Sequence, residues 1–368
     1  RLTTHLQATE QVLRLIKKGR VHKILRSLGK WRWIEDILRP YEGALPLPAV
    51  LPVPQQQENA TTDISADPPA VLPVPQQQEN ATTDISTETR GPLALSVYRR
   101  TIDSFNSSQP NAQLLDNIRA YNHAMMAELN AISPLQGKLL LDLGASPHGY
   151  ALEWALVYGV ALYVGVGLDV SLPRYIRGDQ GNVGLLLNMN ATRLLFPAEM
   201  FDAVLSISTF EHIDNVPHAL AEIDRILQPS GVVLLSFEPV WSCAYGHHLH
   251  HLGECATLIP PWAHLLWTPE QMYEFLAKQW PHDAPLSLSQ AVEWIYHGDA
   301  INRLSIRQMK HLLTESPFVI ESLTDLKDAV SDQAALQHAS EVTGFSADEL
   351  TTKGLRVVLK KVPDAKTA

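Results

Sequence analysis

Leu139, Leu140 and Leu141 form an apolar run that ends at Asp142, crosses a loop bounded by Gly144 and Gly149, and enters a second apolar segment over 150–157. A run with no polar face needs cover on both sides, which is the situation of a strand inside a parallel sheet. The second segment has the spacing of a helix. Strand, small-residue loop and helix together let backbone amides and a helix N-terminus approach a nucleotide-like ligand. Gly144 permits the tight turn, and Gly149 lets the backbone come close.

The same grammar continues along the chain. Apolar runs at 138–143, 161–167, 184–188, 203–208 and 232–237 alternate with helical patterns, the clearest at 111–132, 150–157 and 216–227. Two later runs, 318–323 and 355–360, follow a helix over 306–315. This alternation predicts an α/β fold: a doubly wound, Rossmann-like sheet of seven mostly parallel strands. The last run mixes Val and Leu with Lys, which predicts an edge strand. Between the fifth and sixth strands lies an insertion, 238–304, holding five of the eight tryptophans and seven of the fifteen histidines. Thr268, Pro269 and Gln271 form a capping-box pattern inside it. An α-helical, aromatic- and His-rich insertion after a strand is expected over the carboxyl ends of the sheet, where such folds bind ligands.

The segment 91–363, which holds this alternation, is preceded by two others. Residues 1–43 are basic and helical in pattern, with ten Lys/Arg in the first forty against Glu10, Glu35 and Asp36. That is a net +7, so of the overall −10 the rest of the chain carries −17. An acidic body argues against nucleic acid as a partner, while residues 1–40 could touch a protein or an anionic membrane surface. Residues 44–90 read as a disordered linker rich in Pro and Gln. Its 18 residues 48–65 recur unchanged at 69–86. Such sequence buries too little apolar area to offset its conformational entropy. No apolar run reaches transmembrane length. With two cysteines and no visible signal peptide, a cytoplasmic protein is expected.

Further landmarks follow the first loop. Asp169 ends the second strand, twenty residues past Gly149, where a carboxylate can accept both hydroxyls of a ribose. Asn190 follows the third strand and is placed to meet an adenine edge. Phe201, Asp202, Ala203 and Val204 open the fourth strand, and Glu211 and His212 lie just beyond it. In these residues the chain resembles the class I S-adenosylmethionine-dependent methyltransferases, in particular the small-molecule group called type 11. The resemblance spans about 111–237 and 305–362. It implies S-adenosylmethionine as cofactor, held by Asp142, Gly144, Ser146, Gly149, Asp169, Asn190 and Ser208. Ser146 and His148 stand where the family usually has glycine, and Asn190 where it usually has Asp. Asn190 could still receive the adenine amine on its carbonyl oxygen, and His148 could crowd or contact the cofactor carboxylate.

Methyl transfer to oxygen needs alignment, a water-poor site and a base for the acceptor proton. His247 and His248 in the insertion, and His212 of the Glu-His pair, are the candidates. Trp241, Tyr245, Trp262, His264, Trp267, Asn302 and Arg303 are the candidate acceptor contacts, since aromatic faces with scattered polar groups suit a sugar or a natural product. Cys243, His247, His251 and Cys255 offer a metal-ligand alternative, although their spacing matches no standard zinc motif. The expected function is transfer of a methyl group to a hydroxyl of a small acceptor. The alternatives are a non-catalytic docking protein on the same fold and a nicotinamide-dependent oxidoreductase.

Overall fold

The computed structural model describes residues 93–109, 111–146, 148–168, 174–249 and 254–362. The N-terminal segment, the duplicated linker, Asp169 and His251 lie outside the described residues.

The elements, in chain order, begin with β1 (Leu93–Ala94), α1 (Leu95–Ser108) and α2 (Ala112–Ile132), followed by β2 (Leu139–Leu143) and α3 (Tyr150–Val157). Next come β3 (Leu162–Gly167), β4 (Arg174–Arg177), β5 (Val183–Asn188), β6 (Phe201–Ile207), a 3-10 turn (Phe210–His212), α4 (Val216–Ile226) and β7 (Leu227–Phe237). The insertion carries α5 (Glu254–Thr257), α6 (Ala263–Leu266), α7 (Pro269–Leu276) and α8 (Leu288–Tyr296). The chain then forms α9 (Ile306–Thr314), β8 (Phe318–Lys327), α10 (Gln333–Thr343), α11 (Ala347–Thr351) and β9 (Thr352–Lys361).

The described strands make one sheet in the order β1-β4-β5-β3-β2-β6-β7-β9-β8. Its middle, β5-β3-β2-β6-β7, is parallel throughout. All seven expected strands are present. Two more, β4 and β1, extend the sheet beyond β5, with β4 antiparallel to it. The expectation for the last strand is corrected: β9 is not an edge. It pairs antiparallel with both β7 and β8. Leu355, Val357 and Leu359 are fully buried; Lys360 is exposed, and Lys353, Arg356 and Lys361 are partly so. Helix α1 and the pair α10–α11 are additions to the expected elements.

Alternation along β2 divides the two faces. Leu139, Leu141 and Leu143 pack with α4 and α9 through Val216, Leu220, Ile223, Met309 and Leu313. Leu140 packs on the other face with α1, α2 and α3 through Tyr98, Met126, Leu129 and Leu152. The insertion has a separate core of Leu249, Ile259, Met272, Leu276, Ala291 and Ile295. The capping box of α7 is formed, with Thr268 Oγ accepting from Gln271 N–H and Gln271 Oε1 accepting from Thr268 N–H. From β2 the chain steps outward through β3 and β5 on one side, then returns to β6 and steps outward through β7 on the other. The crevice at the carboxyl ends of β2 and β6 is therefore the ligand-binding place that this topology dictates.

Candidate active site

The loop after β2 is held by backbone bonds. Gly144 N–H and Ala145 N–H both donate to Val166 O, at 2.7 and 2.9 Å. Gly144 has φ +87°, and a Cβ there would fall on the side chain of Thr209, in the loop after β6. The two loops thus touch where the strand order reverses. Gly149 is left-handed at φ 57° and starts α3. Its N–H donates to Ser146 O at 2.9 Å and to Ser146 Oγ at 3.2 Å. Ser146 in place of glycine is thus explained locally: its hydroxyl braces the turn. His148 packs beside α1. Its ring lies 4.3 Å from that of Phe105 on α1 and 5.7 Å from that of Tyr150, and its carbonyl accepts from Tyr98 Oη. A side chain drawn onto α1 leaves the small-residue approach to the loop intact.

Asp142 is buried at the end of β2 and accepts from Tyr163 Oη. Burial raises its carboxyl to about 6, and the tyrosine bond opposes part of that rise. Asn190 is exposed, and its Oδ1 already accepts from Thr192 N–H and Thr192 Oγ1, both at 2.8 Å. An sp2 oxygen has two lone pairs, so the expected bond from an adenine amine to this oxygen is corrected. The amide NH2 is the end that can meet a ligand. Ser208, exposed at φ 48°, closes β6 by donating its N–H to Ser236 O at 2.8 Å.

Glu211, His212 and His248 converge beyond β6. One ligand-type atom from each lies within 4.8 Å of the other two. Glu211 is buried, and its Oε2 has no hydrogen-bond partner among the described residues. Burial lifts its carboxyl to about 8, so it is largely protonated near neutral pH. The His212 and His248 rings meet edge to face at 5.1 Å. Nδ1 of His212 faces Ala300 O at 2.6 Å, and Nδ1 of His248 faces Gly246 O at 2.7 Å. A carbonyl only accepts, so each ring carries a proton on Nδ1, and in the neutral ring the lone pair is then on Nε2. The Glu-His spacing after a strand marked this place in the sequence. The burial of Glu211, with Oε2 lacking a hydrogen-bond partner among the described residues, had no signal there.

Several expected contacts have other work. His247 is fully buried, with its Nδ1 accepting from Leu249 N–H and its ring against Tyr245 and His264. His264 is also buried, donating Nε2–H to Trp241 O at 2.8 Å, and burial pushes its pKa down to about 4. Trp262 is corrected from pocket wall to core anchor. It is 1% exposed, packs with Leu336 and Leu350, and donates Nε1–H to Leu350 O. Asn302 is a latch: Nδ2 donates to Phe210 O and Ile213 O, and its N–H donates to Glu211 O at 3.0 Å. Arg303 spends its donors on Ile295 O, Trp294 O, Gly298 O and Ile301 O around the end of α8, which its charge suits. Trp241, Tyr245 and Trp267 remain half-buried or exposed. The Cys243–Cys255 metal alternative is also corrected among the described residues. Cys243 is packed in the sheet-side core with its thiol pushed up to about 12 by burial, and Cys255 lies in the separate core of the insertion.

A doubly wound sheet with a glycine-bent first loop at its switch point defines a nucleotide-binding class I fold. Residues 141–235 match the methyltransferase-domain family. A fatty-acid O-methyltransferase of Mycolicibacterium smegmatis is 28% identical over 120 residues, 32% of this chain and 44% of that protein. An uncharacterized methyltransferase of Mycobacterium marinum is 28% identical over 169 residues, 43% of this chain and 65% of that protein. The chain thus covers less than two thirds of each of these relatives. A solved S-adenosylmethionine-dependent methyltransferase from Mesorhizobium loti is 17% identical, covers 64% of this chain and 96% of that one, and superposes with a TM-score of 0.39; the strand order, not this likeness, defines the fold. The chain carries a class I S-adenosylmethionine-dependent methyltransferase domain. The cofactor of that domain is S-adenosylmethionine, not a nicotinamide. The bent, small-residue loop Gly144–Ala145–Ser146 beside the α3 N-terminus fits such a group. No described helix is long and apolar enough to cross a membrane.

Proposed function

We propose that the chain transfers a methyl group to an oxygen of a small acceptor, a hydroxyl of a sugar or secondary metabolite being the first choice. The observation that carries this reading is the meeting of two loops at the ends of neighbouring strands. One is the glycine-bent loop after β2, and the other bears Glu211 and His212 after β6. When bound, S-adenosylmethionine supplies a methyl group activated by the positive sulfur. Gly144, Ser146 and Gly149 bind and orient the cofactor, with the Asn190 amide at the adenine end. Asp169, outside the described residues, is the candidate for the ribose. The acceptor enters beside Trp241, Tyr245 and Trp267. The insertion keeps bulk water from the methyl group.

Of the three candidate bases, His248 is assigned the acceptor proton, with His212 beside it. Nε2 of His248 takes the proton while Nδ1–H stays on Gly246 O. Glu211, largely protonated, adds no negative charge against the acceptor oxygen. The name of the fatty-acid relative supports oxygen as the target atom and makes a carboxyl acceptor the natural second series to test.

Calorimetry with S-adenosylmethionine and S-adenosylhomocysteine tests the cofactor half; saturable binding of both is expected. Mass spectrometry of a metabolite extract incubated with methyl-labelled cofactor tests the acceptor half. Label on hydroxyl oxygens is expected. Label on carboxyl oxygens redirects the acceptor class, and tight cofactor binding without any labelled product favours a non-catalytic docking role.

A further inference from the structure

We propose that Glu211, His212 and His248 form a binding site for a divalent transition-metal ion of zinc-like preference at the acceptor side of the cleft. The proposal concerns these three side chains and does not rest on the methyl-transfer reading.

Three independent observations point the same way. First, the donor set converges: a carboxylate oxygen and two imidazoles lie within 4.8 Å of one another, with His212 Nε2 and Glu211 Oε1 at 4.0 Å. Zinc–nitrogen bonds of about 2.0–2.1 Å in a tetrahedron place donor atoms about 3.3 Å apart. A contraction of up to about 1.5 Å is needed from the 4.8 Å spread, and the His212 side chain, 43% exposed, has room to turn. Secondly, both rings are already oriented as ligands. A metal-binding histidine holds its distal N–H on a carboxylate or backbone carbonyl, which fixes the tautomer and turns the other nitrogen outward. Ala300 O and Gly246 O do this for His212 and His248. Thirdly, Glu211 Oε2 is buried without a hydrogen-bond partner among the described residues. A buried carboxylate is stable when it is paired with a cation or coordinates a metal.

The donor chemistry selects the ion. Imidazole nitrogens with one carboxylate favour zinc and its first-row neighbours over magnesium or calcium, which take oxygen ligands. Three protein ligands leave the fourth position of a tetrahedral ion for water or an acceptor, the pattern of a catalytic rather than a structural site. An acceptor oxygen could fill it. The site also differs from the cysteine-containing set that the sequence suggested, because Cys243 and Cys255 sit in two different cores. Ligation and base catalysis use the same ring nitrogen, so an ion at this site and a free His248 base exclude each other.

The test uses the full chain without an affinity tag, stripped with chelator and titrated with cobalt(II), then with zinc. One cobalt per chain is expected, with the ligand-field absorption of a four- or five-coordinate ion, displaced by zinc. His212→Ala, which changes an exposed side chain, is expected to keep its melting temperature in the metal-free state. It should weaken cobalt binding more than the roughly 10–100-fold cost of an outer-shell partner. Glu211→Gln should do the same. No stoichiometric binding, or equal affinity in wild type and His212→Ala, overturns the site. Calorimetry of S-adenosylmethionine on the metal-free chain runs in parallel: cofactor binding without cobalt binding defeats the metal site alone, and the reverse defeats the methyl-transfer reading alone.

Discussion

The sheet and the insertion are built on different physics. β2, β3 and β6 are stabilised by nearly unbroken apolar burial: Leu140, Leu141, Val164, Val204 and Leu205 are all 0% exposed, with α-helices on both faces. The insertion buries His247, His248 and His264 as well as apolar groups, and ties itself down with polar bonds to carbonyls. Apolar strands specify position by register. Buried imidazoles specify position by which carbonyl holds which nitrogen, and they make the region sensitive to acid. The candidate chemistry lies where the two meet, at Glu211, His212 and His248.

The contrast can be broken most severely at Trp262. Trp262→Ala removes a fully buried indole and its bond to Leu350 O, and should cost about 4 kcal/mol. Thermal unfolding followed by far-ultraviolet circular dichroism checks this value. Next comes Gly144→Ala. A left-handed alanine that also meets Thr209 should cost about 3 kcal/mol and abolish cofactor binding in calorimetry, with the insertion's tryptophan fluorescence unchanged below the melting transition.

Acid sharpens the contrast because the two regions respond with opposite sign. His264 titrates near 4 in the folded chain against 6.5 for the free group, so the unfolded chain takes up the proton first. Stability present above pH 6.5 is lost as pH falls toward 4, by about 3 kcal/mol. Asp142 titrates near 6 against 3.8, so the folded chain holds its proton longer. Its contribution is present below about pH 4 and is lost as pH rises through 6, again by about 3 kcal/mol. Chemical denaturation at a series of pH values should show the first slope vanish in His264→Gln and the second in Asp142→Asn. The smallest effect is at Arg303. Arg303→Ala frees four carbonyls around the end of α8, and should cost about 1–2 kcal/mol. Hydrogen exchange of α8 should rise while that of β2 stays unchanged.

Legibility follows the same division. The five parallel strands were readable because a two-faced apolar run has one common structural solution, and Thr268 marked a helix start by capping chemistry confined to a few residues. β9 was misplaced because alternation with lysine describes only its end, whereas insertion between β7 and β8 depends on partners far away in sequence. Trp262, Asn302 and Arg303 looked like ligand contacts because their chemistry suits ligands. The carbonyls that occupy them come from Leu350, Phe210 and Ile295, and only folding brings these within reach.

The sequence by itself determined the strand–loop–helix unit, the alternation that builds the sheet, and the acid and Glu-His landmarks that belong to a methyltransferase domain. All of these are local patterns, or patterns repeated with a fixed period. The tertiary structure decided how the polar side chains are used. Ser146 braces a turn, His148 packs on Phe105, and His248 rather than His247 joins Glu211 and His212. The physical reason is that a polar group is defined by its partner. In this chain the deciding partners, Gly246 O, Ala300 O and Trp241 O, are backbone atoms that carry no mark in the sequence.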